Sequence, residues 1–415
     1  AAELRSLRLQ AGRYRSASCS LHSKAGEALQ SSLPNTKVPA ALEIPWSRGT
    51  TIPTAQAIGI RFVLENQLAG NAGPGFPCSI LARDNATLLS LYLDLIVSAI
   101  HERLKLLADF DFSVSDPWEL VMSGLVDPVK LFVKNEPHKM SKVLEGRLRL
   151  IFSVSLIDNV IARILFARQN GAEIDVWESI PLKPGMGLTD EHMKLICSYV
   201  LANDKGGFME SDMKGWDWSF QEQDFLSDLE RRSSLNRGKE TLWYQLARAH
   251  YHCVARKVVV LSDGEMYKQL QPGIMPSGWY NTSSTNSASR VINHEHAALM
   301  EGIEPFIMAM GDDGVERPVP NINYHYETLG KTCGLMNKAS PTNFEFCSTI
   351  FRDGVGVPQN VTKQLFNLLR HRPIAVNDAL MRYDQFAYEL RHVPELPTLI
   401  RIIEESGWFD LVELF

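Results

Sequence analysis

Cysteine is scarce and scattered in this sequence. The six cysteines (Cys19, Cys78, Cys197, Cys253, Cys333 and Cys347) form no Cys-x-x-Cys pair. That argues against a zinc module or a disulfide framework and for a reducing compartment. Long hydrophobic runs are missing as well. The most apolar helix-like run, Leu88 to Ile100, contains Asp94 and is too short to span a bilayer. Membrane association would therefore need a partner or another part of a precursor. No stretch reads as a signal peptide, an internal repeat or a low-complexity tract. An excess of positive charge is lacking too: the net charge of −6 is not the footprint of a generic nucleic-acid binder. Ala1 in place of Met reads as the mark of processing from a precursor or of a trimmed chain.

What is present is a chain of 415 residues, 45% hydrophobic and 22% charged, the composition of a globular protein with more than one subdomain. Charge is unevenly spread. Lys130, Lys134, Lys139, Lys142, Arg147 and Arg149 stand against Glu136 and Glu145, a local balance of +4. Arg5, Arg8, Arg13, Arg15 and Lys24 stand against Glu3, again +4. The end of the chain is acidic, with Glu395, Glu404, Glu405, Asp410 and Glu413 against Arg401. A basic lining inside an acidic protein is compatible with an electrostatic channel; solvated faces would give the same counts.

Residues 1–80 are rich in Pro, Gly, Ser and Thr and show little sustained periodicity, so they are expected to drape over a core built later. Helices are expected at 88–107 with a start signal at Asn85/Thr87, at 156–168, at 191–201 capped by Thr189, at 220–249, at 280–300 and around 324–333. Strands are expected at 129–133, 147–154 and 207–213, with an Asp-Gly hairpin at 257–270 and a strand pair near 344–351. From Val361 the chain reads as helical, broken by Pro373, Pro394 and Pro397. The middle fits a small antiparallel sheet backed by helices, an α+β arrangement.

The candidate chemistry centres on Gly311-Asp312-Asp313, where an apolar run ends in a turn carrying two carboxylates. Asp212 stands at the end of another strand. If the strands are neighbours, three carboxylates converge and need compensation that divalent cations supply; an ordinary Gly-Asp turn and a helix N-cap at Asp212 are the plain readings. Ser277-Gly278 precedes a helix with Thr282 and Asn286 at i,i+4 on one face, suited to reading sugar hydroxyls. Lys134, Lys142, Arg147 and Arg149 mark a basic turn, with Arg147 and Arg149 on one face of a strand, able to hold a triphosphate.

In this order the signals resemble the RNA-dependent RNA polymerases of positive-strand RNA viruses, over roughly residues 129–352. Lys134-Asn135-Glu136-Pro137-His138, Glu145-Gly146-Arg147-Leu148-Arg149, Gly215-Trp216-Asp217-Trp218-Ser219 and Phe346-Cys347-Ser348 are most similar to the sobemovirus and polerovirus branch. The resemblance implies a right-hand fold: fingers and N-terminal fingertips at 1–206, palm at 207–249 and 276–352, a fingers insertion at 250–275 and a small helical thumb at 353–415. It implies that Asp212 and Asp312 ligate two Mg²⁺ or Mn²⁺ ions with Asp313 assisting, and that Asp217 and Asn286 check the ribose 2′-hydroxyl. Ser277, Gly278 and Thr282 would form a flexible loop supporting Asp217. Lys134, Lys142, Arg147 and Arg149 would line the nucleotide channel. Lys338 would be the general acid for pyrophosphate, with Lys331 competing, and Phe346, Cys347 and Ser348 would support the primer strand. The implied partners are an RNA template and nascent RNA, nucleoside triphosphates, other viral replication proteins and a genome-linked protein primer, with de novo initiation left open. The implied place is the host cytoplasm, in replication complexes held to membranes through partners.

Other readings fit less well. A reverse transcriptase would carry a bulky steric gate where Asp217 and Asn286 stand, and a silent RNA-binding scaffold would not retain all the carboxylates. Gly330-Lys331-Thr332 lacks the first glycine of a P-loop, since His325 stands there. His250, His252, Cys253, His294 and His296 lack zinc-ligand spacing.

Overall fold

A computed structural model describes residues 2–32, 60–235, 241–371, 373 and 375–408. Residues 33–59 of the N-terminal stretch and the acidic Asp410 and Glu413 lie outside the described residues. Among the described residues, five α-helices precede the first strand: α1 (Ala2–Ala11), α2 (Glu27–Ser32), α3 (Arg61–Asn66), α4 (Asn85–Ala108) and α5 (Pro117–Met122). Then come β1 (Val129–Val133), α6 (Met140–Glu145), β2 (Leu150–Ser153), α7 (Leu156–Asp175) and α8 (Asp190–Ala202). The middle runs β3 (Phe208–Met213), α9 (Trp216–Ser219), α10 (Glu222–Ser234), α11 (Leu242–Val254), β4 (Val258–Val260), β5 (Met266–Lys268) and α12 (Thr282–Met300). After these come β6 (Ile307–Met310), β7 (Asp313–Glu316), α13 (Ile322–Thr328), β8 (Cys333–Ala339), β9 (Asn343–Phe346), β10 (Thr349–Arg352) and β11 (Val355–Pro358). Helices α14 (Val361–Arg370), α15 (Val376–Glu389) and α16 (Leu396–Glu405) close the series.

The chain divides into two compact units. One holds Ala1–Gly185, Asp212–Asp312 and Val319–Gly334, the other Met186–Ser211, Asp313–Pro318 and Leu335–Phe415. In the first unit the sheet order is β2-β1-β4-β5. β1 runs antiparallel to β2 (Val133 opposite Leu150) and parallel to β4 (Val129 opposite Val259). Short polar side chains start the helices by accepting the amide protons that no turn can satisfy. Asp84 accepts from Thr87 N, Ser155 from Asp158 N and Thr241 from Tyr244 N, while Gln221 and Asp224 form a reciprocal capping box. The core joins Leu104, Val160, Ile161, Phe166, Phe220, Leu229 and Leu246.

In the second unit β3 lies between β7 and β8. It is antiparallel to β7, with Met209 opposite Glu316 and Ser211 opposite Gly314. β9, β10 and β11 form an antiparallel meander. Helices α14 to α16 pack around Leu368, Phe386, Leu390, Ile403 and Trp408.

Several sequence-based boundaries move. The stretch 147–154 is not all strand: Gly146 ends α6 in the left-handed region (φ 82°), and Arg147 N donates back to Lys142 O at 3.0 Å, which closes the helix. Arg147 and Arg149 thus precede β2 instead of sharing one of its faces. The helix expected over 220–249 is two, α10 and α11, because Thr241 is extended and caps the second; residues 236–240 lie outside the described residues. The helix around 324–333 stops at Thr328, and Cys333 opens strand β8. The start of α4 is capped by Asp84, not Asn85. Residues 1–80 are less irregular than expected, with α1, α2 and α3 inside them.

Helix α12 is buried continuously from Ser284 to Ala298 although two thirds of those residues are polar. Their partners come from α10, itself buried and charged. Asp228 accepts from Arg231 (2.7 Å), Arg232 (3.0 Å), Tyr251 OH (2.5 Å) and Thr285 Oγ1 (2.8 Å). Burial alone would raise the Asp228 pKa, but the two guanidiniums win and hold it well below the usual carboxylate range. Its charge therefore supports the fold above the ordinary carboxylate pKa, and the support is lost as pH falls through that range and below. Asp228→Ala should cost about 3–5 kcal/mol by leaving buried cations unpaired. A thermal melt at neutral pH within a degree of the parent would refute that role for Asp228.

Candidate active site

The turn at Gly311-Asp312 is fixed from α12. Gly311 N donates to Ser287 Oγ at 2.8 Å, and Arg290 Nε donates to the Asp312 carbonyl at 3.4 Å. The Arg290 guanidinium also donates to Tyr326 OH at 2.7 Å and faces the rings of Trp216 and Tyr326. β6 brings the turn there as an apolar strand packed on α12, with Ile307 and Ala309 sharing a core with Ala288, Val291 and Ile292.

The Asp312 side chain is exposed. Desolvation is the main cause raising its pKa, and the Asp212 carboxylate raises it further, while Arg290 and Arg149 act the other way. Asp212 is at the end of β3, exposed between buried Ser211 and Met213. Neither aspartate has an ion-pair partner among the described residues. Two carboxylates that feel each other without a cation between them are hard oxygen donors suited to a divalent ion. Among the described residues, no three His, Cys, Asp or Glu side chains are gathered tightly enough to hold a metal by themselves.

Asp217 stands on α9, which begins at Gly215 in the left-handed region. Asn286 Nδ2 donates to its Oδ1 at 2.7 Å. The Asp217 pKa is pushed up to about 6, chiefly by burial; the Asn286 bond lowers it and the Asp312 charge raises it. Among the described residues, the buried Asn286 Oδ1 has no hydrogen-bond partner. A buried acceptor left open beside a carboxylate is a place for a hydroxyl donor.

The loop at 272–278 is tied at many points. Met275 N donates to the Asp217 carbonyl (2.8 Å), Thr282 Oγ1 to Pro276 O (2.8 Å) and Phe152 N to Ser277 Oγ (3.2 Å). Buried Lys257 donates to Val254 O, Gly273 O and Ile274 O at 2.8, 2.8 and 2.6 Å. A Cβ at Gly278 would stand 2.1 Å from the Phe152 carbonyl oxygen, so only glycine fits there.

In the basic turn, Lys134 pairs with Glu136 at 2.9 Å, Arg149 with Glu136 at 3.4 Å and Arg147 with Glu145 at 3.0 Å, while Lys142 is exposed. Arg149 is 67% exposed in its side chain. Lys331 is fully buried, 2.6 Å from Asp224 and 3.0 Å from the Ser219 carbonyl. Those bonds occupy its ammonium, which removes it as a rival to Lys338 for meeting substrate. In the second unit, Asp313 opens β7, Lys338 is exposed on β8, and Phe346 is buried at the end of β9. Cys347 and Ser348 both take positive φ (51° and 56°) in the turn to β10. The histidines are packed: His250 accepts from Trp279 Nε1, His294 from Phe306 N and His296 from His22 N.

Sequence reasoning had singled out neither Ser287 nor Arg290. Arg290 is four residues beyond Asn286, on the same helix face, and that spacing was the available signal.

A family model for viral RNA-directed RNA polymerases matches residues 3–354. The chain belongs to the viral RNA-directed RNA polymerase family. It is 39% identical over 363 residues to the RNA-directed RNA polymerase of mushroom bacilliform virus, covering 84% of this chain and 85% of that one. It is 41% identical over 294 residues to the replicase polyprotein P2AB of Southern bean mosaic virus, covering 68% of this chain and 30% of the polyprotein. The protein P1-P2 of potato leafroll virus is 37% identical over 324 residues, 73% of this chain and 30% of that one. The chain thus spans about a third of those two longer relatives. The resemblance to the sobemovirus and polerovirus branch holds. The α+β fold is shared with the RNA-dependent RNA polymerase of a human picorbirnavirus, at a TM-score of 0.65, 11% identity and coverage of 95% of this chain and 71% of that one. No described helix of the polymerase is long and apolar enough to cross a membrane.

The steric limit at Gly278 is directly testable. Gly278→Ala should push the loop away from Phe152 and lower RNA synthesis by about a hundredfold, on the order of what misplacing a reacting geometry by an ångström costs. Assays on a variant with an unchanged circular dichroism spectrum decide it, and near-parental turnover would show that the loop has another resting place.

Proposed function

We propose that the polymerase extends RNA by transfer of a nucleotidyl group to a 3′-hydroxyl with two divalent ions, Mg²⁺ or Mn²⁺, held by Asp212 and Asp312 with Asp313 assisting. The observation that carries this reading is the pair Asp212 and Asp312, mutually repelling and without an ion-pair partner among the described residues. Ions held there would make the 3′-hydroxyl a better nucleophile and neutralise charge on the α-phosphate and on departing pyrophosphate.

The chain's own groups bind and orient. Asp217 and Asn286 take the ribose 2′-hydroxyl between a carboxylate oxygen and the open amide oxygen, so a deoxyribose leaves Asn286 Oδ1 unsatisfied. Ser277, Gly278 and Thr282 hold the loop that fixes the Asp217 backbone. Lys134, Lys142, Arg147 and Arg149 receive the triphosphate, Arg149 foremost because it is the most exposed of the paired cations. Lys338 gives a proton to the pyrophosphate, and the turn Phe346-Cys347-Ser348 bears the primer strand. In domain terms, residues 1–206 and 250–275 are fingers, 207–249 and 276–352 palm, and 353–415 thumb. RNA and nucleoside triphosphates are the substrates; a genome-linked protein primer and other viral replication proteins are the partners, in host cytoplasm.

Asp312→Ala should abolish synthesis on a defined RNA template with Mg²⁺ while leaving RNA binding and thermal stability near parental. Sustained incorporation by that variant would sink the metal assignment. Asn286→Ala should reduce the preference for ribonucleotides over deoxyribonucleotides by tenfold or more, roughly the worth of one buried hydrogen bond to a charged pair. The kcat/KM ratio for UTP against dTTP measures it, and an unchanged ratio would move sugar selection elsewhere.

A further inference from the structure

The N-terminal helix meets the active-site region through arginines laid on glycines. A Cβ at Gly215 would stand 2.8 Å from Arg13 Cζ and 3.0 Å from its Nη1, so the guanidinium rests on the turn two residues before Asp217. A Cβ at Gly146 would stand 2.5 Å from Arg5 Nε, so a second guanidinium rests on the end of α6 in the basic turn. Both glycines have positive φ, 61° and 82°. Helix α1 is fixed in this place. Ser6 Oγ and Gln10 Nε2 both donate to the Leu148 carbonyl, at 2.6 and 3.1 Å, and Glu3 accepts from Ser262 N and Oγ at 2.9 and 2.6 Å.

The charges do not balance there. Glu145, bonded to Arg147, feels Arg147, Arg13 and Arg5 together. Arg13 feels Arg147 as a like charge. Among the described residues its side-chain hydrogen bond goes to the neutral Gln10 Oε1, at 3.2 Å. Arg15, by contrast, turns back to its own backbone carbonyls, Gly12 O and Tyr14 O. Three guanidiniums around one carboxylate leave an excess of two positive charges in a chain of net charge −6. Crowding like charges is unfavourable unless a polyanion shares them, and forked guanidinium donors match phosphate oxygens.

We propose that Arg5 of the N-terminal helix and Arg13 of the turn that follows it join Arg147 in a phosphate-binding site beside the Asp217 turn, taking the polyphosphate tail of a nucleotide on its way to the active site. The inference rests on the polymerase reading for its ligand but not for its geometry. The shared chemistry is phosphate, and an RNA backbone could supply it too.

Inorganic tripolyphosphate is the probe, titrated calorimetrically into the full chain without metal or RNA. Arg13→Gln should weaken it by roughly fivefold and the double variant Arg5→Gln/Arg13→Gln by more, the range of partly exposed ion pairs. Arg13→Lys should restore part of the loss, and Glu145→Gln should tighten binding, a gain that misfolding cannot produce. With turnover, a raised nucleotide KM at constant kcat and constant RNA affinity assigns the site to the triphosphate. Weakened RNA binding with a salt slope lower by about one per arginine assigns it to the RNA backbone. Unchanged tripolyphosphate affinity in the folded double variant, or weaker binding by Glu145→Gln, overturns the site and leaves α1 a structural clamp. Because this readout needs no catalysis, an active Asp312→Ala would overturn the metal assignment without touching it.

Discussion

A helix whose side chains are polar but enclosed on every side must find each of them a partner, and that requirement organises the polymerase around Thr282–Met300. Thr285 reaches Asp228, Asn286 reaches Asp217, Ser287 receives Gly311, Ser289 and Asn293 reach Asp224, and Arg290 reaches Tyr326 and the Asp312 carbonyl. Each bond is one a neighbouring element must come close to make, because an unmet polar group in this interior costs more than the bond gains. The groups proposed to face sugar and metal thereby share one rigid support, and the placement of the Gly311-Asp312 turn is a consequence of how a buried helix is satisfied.

Carboxylates with shifted titration fall into two kinds in this molecule. Asp228, among Arg231, Arg232, Tyr251 and Thr285, is held ionised and far from titrating. Asp217 and Asp312 are pushed the other way by desolvation and by each other or Asp212, with no guanidinium paired to them. The first arrangement uses charge to fix structure. The second keeps charge exposed to whatever arrives, and perturbation of that sort is what separates a reactive cluster from a structural one.

Most of the site was legible in the sequence because its parts are local. The carboxylate turn, the pair Thr282/Asn286 and the Ser-Gly loop each lie within one short segment, and each is where the pattern placed it. What was missed depends on distant partners. The buried face of α1 carries Ser6 and Gln10, which bond a carbonyl 142 and 138 residues away and give no apolar stripe to read. Strand β8 contains Gly334, needed because a Cβ would stand 2.6 Å from the Asp212 carbonyl, and glycine there reads as a break. Strand β11 reads as a loop for the same reason, with Gly356 against Thr349 and Met193 and Pro358 at its end. The split between α10 and α11 left a trace in the weak helix formers Ser233, Ser234 and Thr241, none of which by itself stops a helix.

Gly278 carries one consequence for how such an enzyme could be inhibited. Its hydrogen faces a carbonyl with no space for a methyl group. Any amino-acid substitution at that position adds a side chain and collides with the Phe152 carbonyl, so the position is closed to gradual escape. A compound that leans on the loop backbone beside Gly278 would press on a surface the genome cannot remodel one base at a time, whereas one gripping Arg149 or Lys142 would rest on exposed side chains free to change.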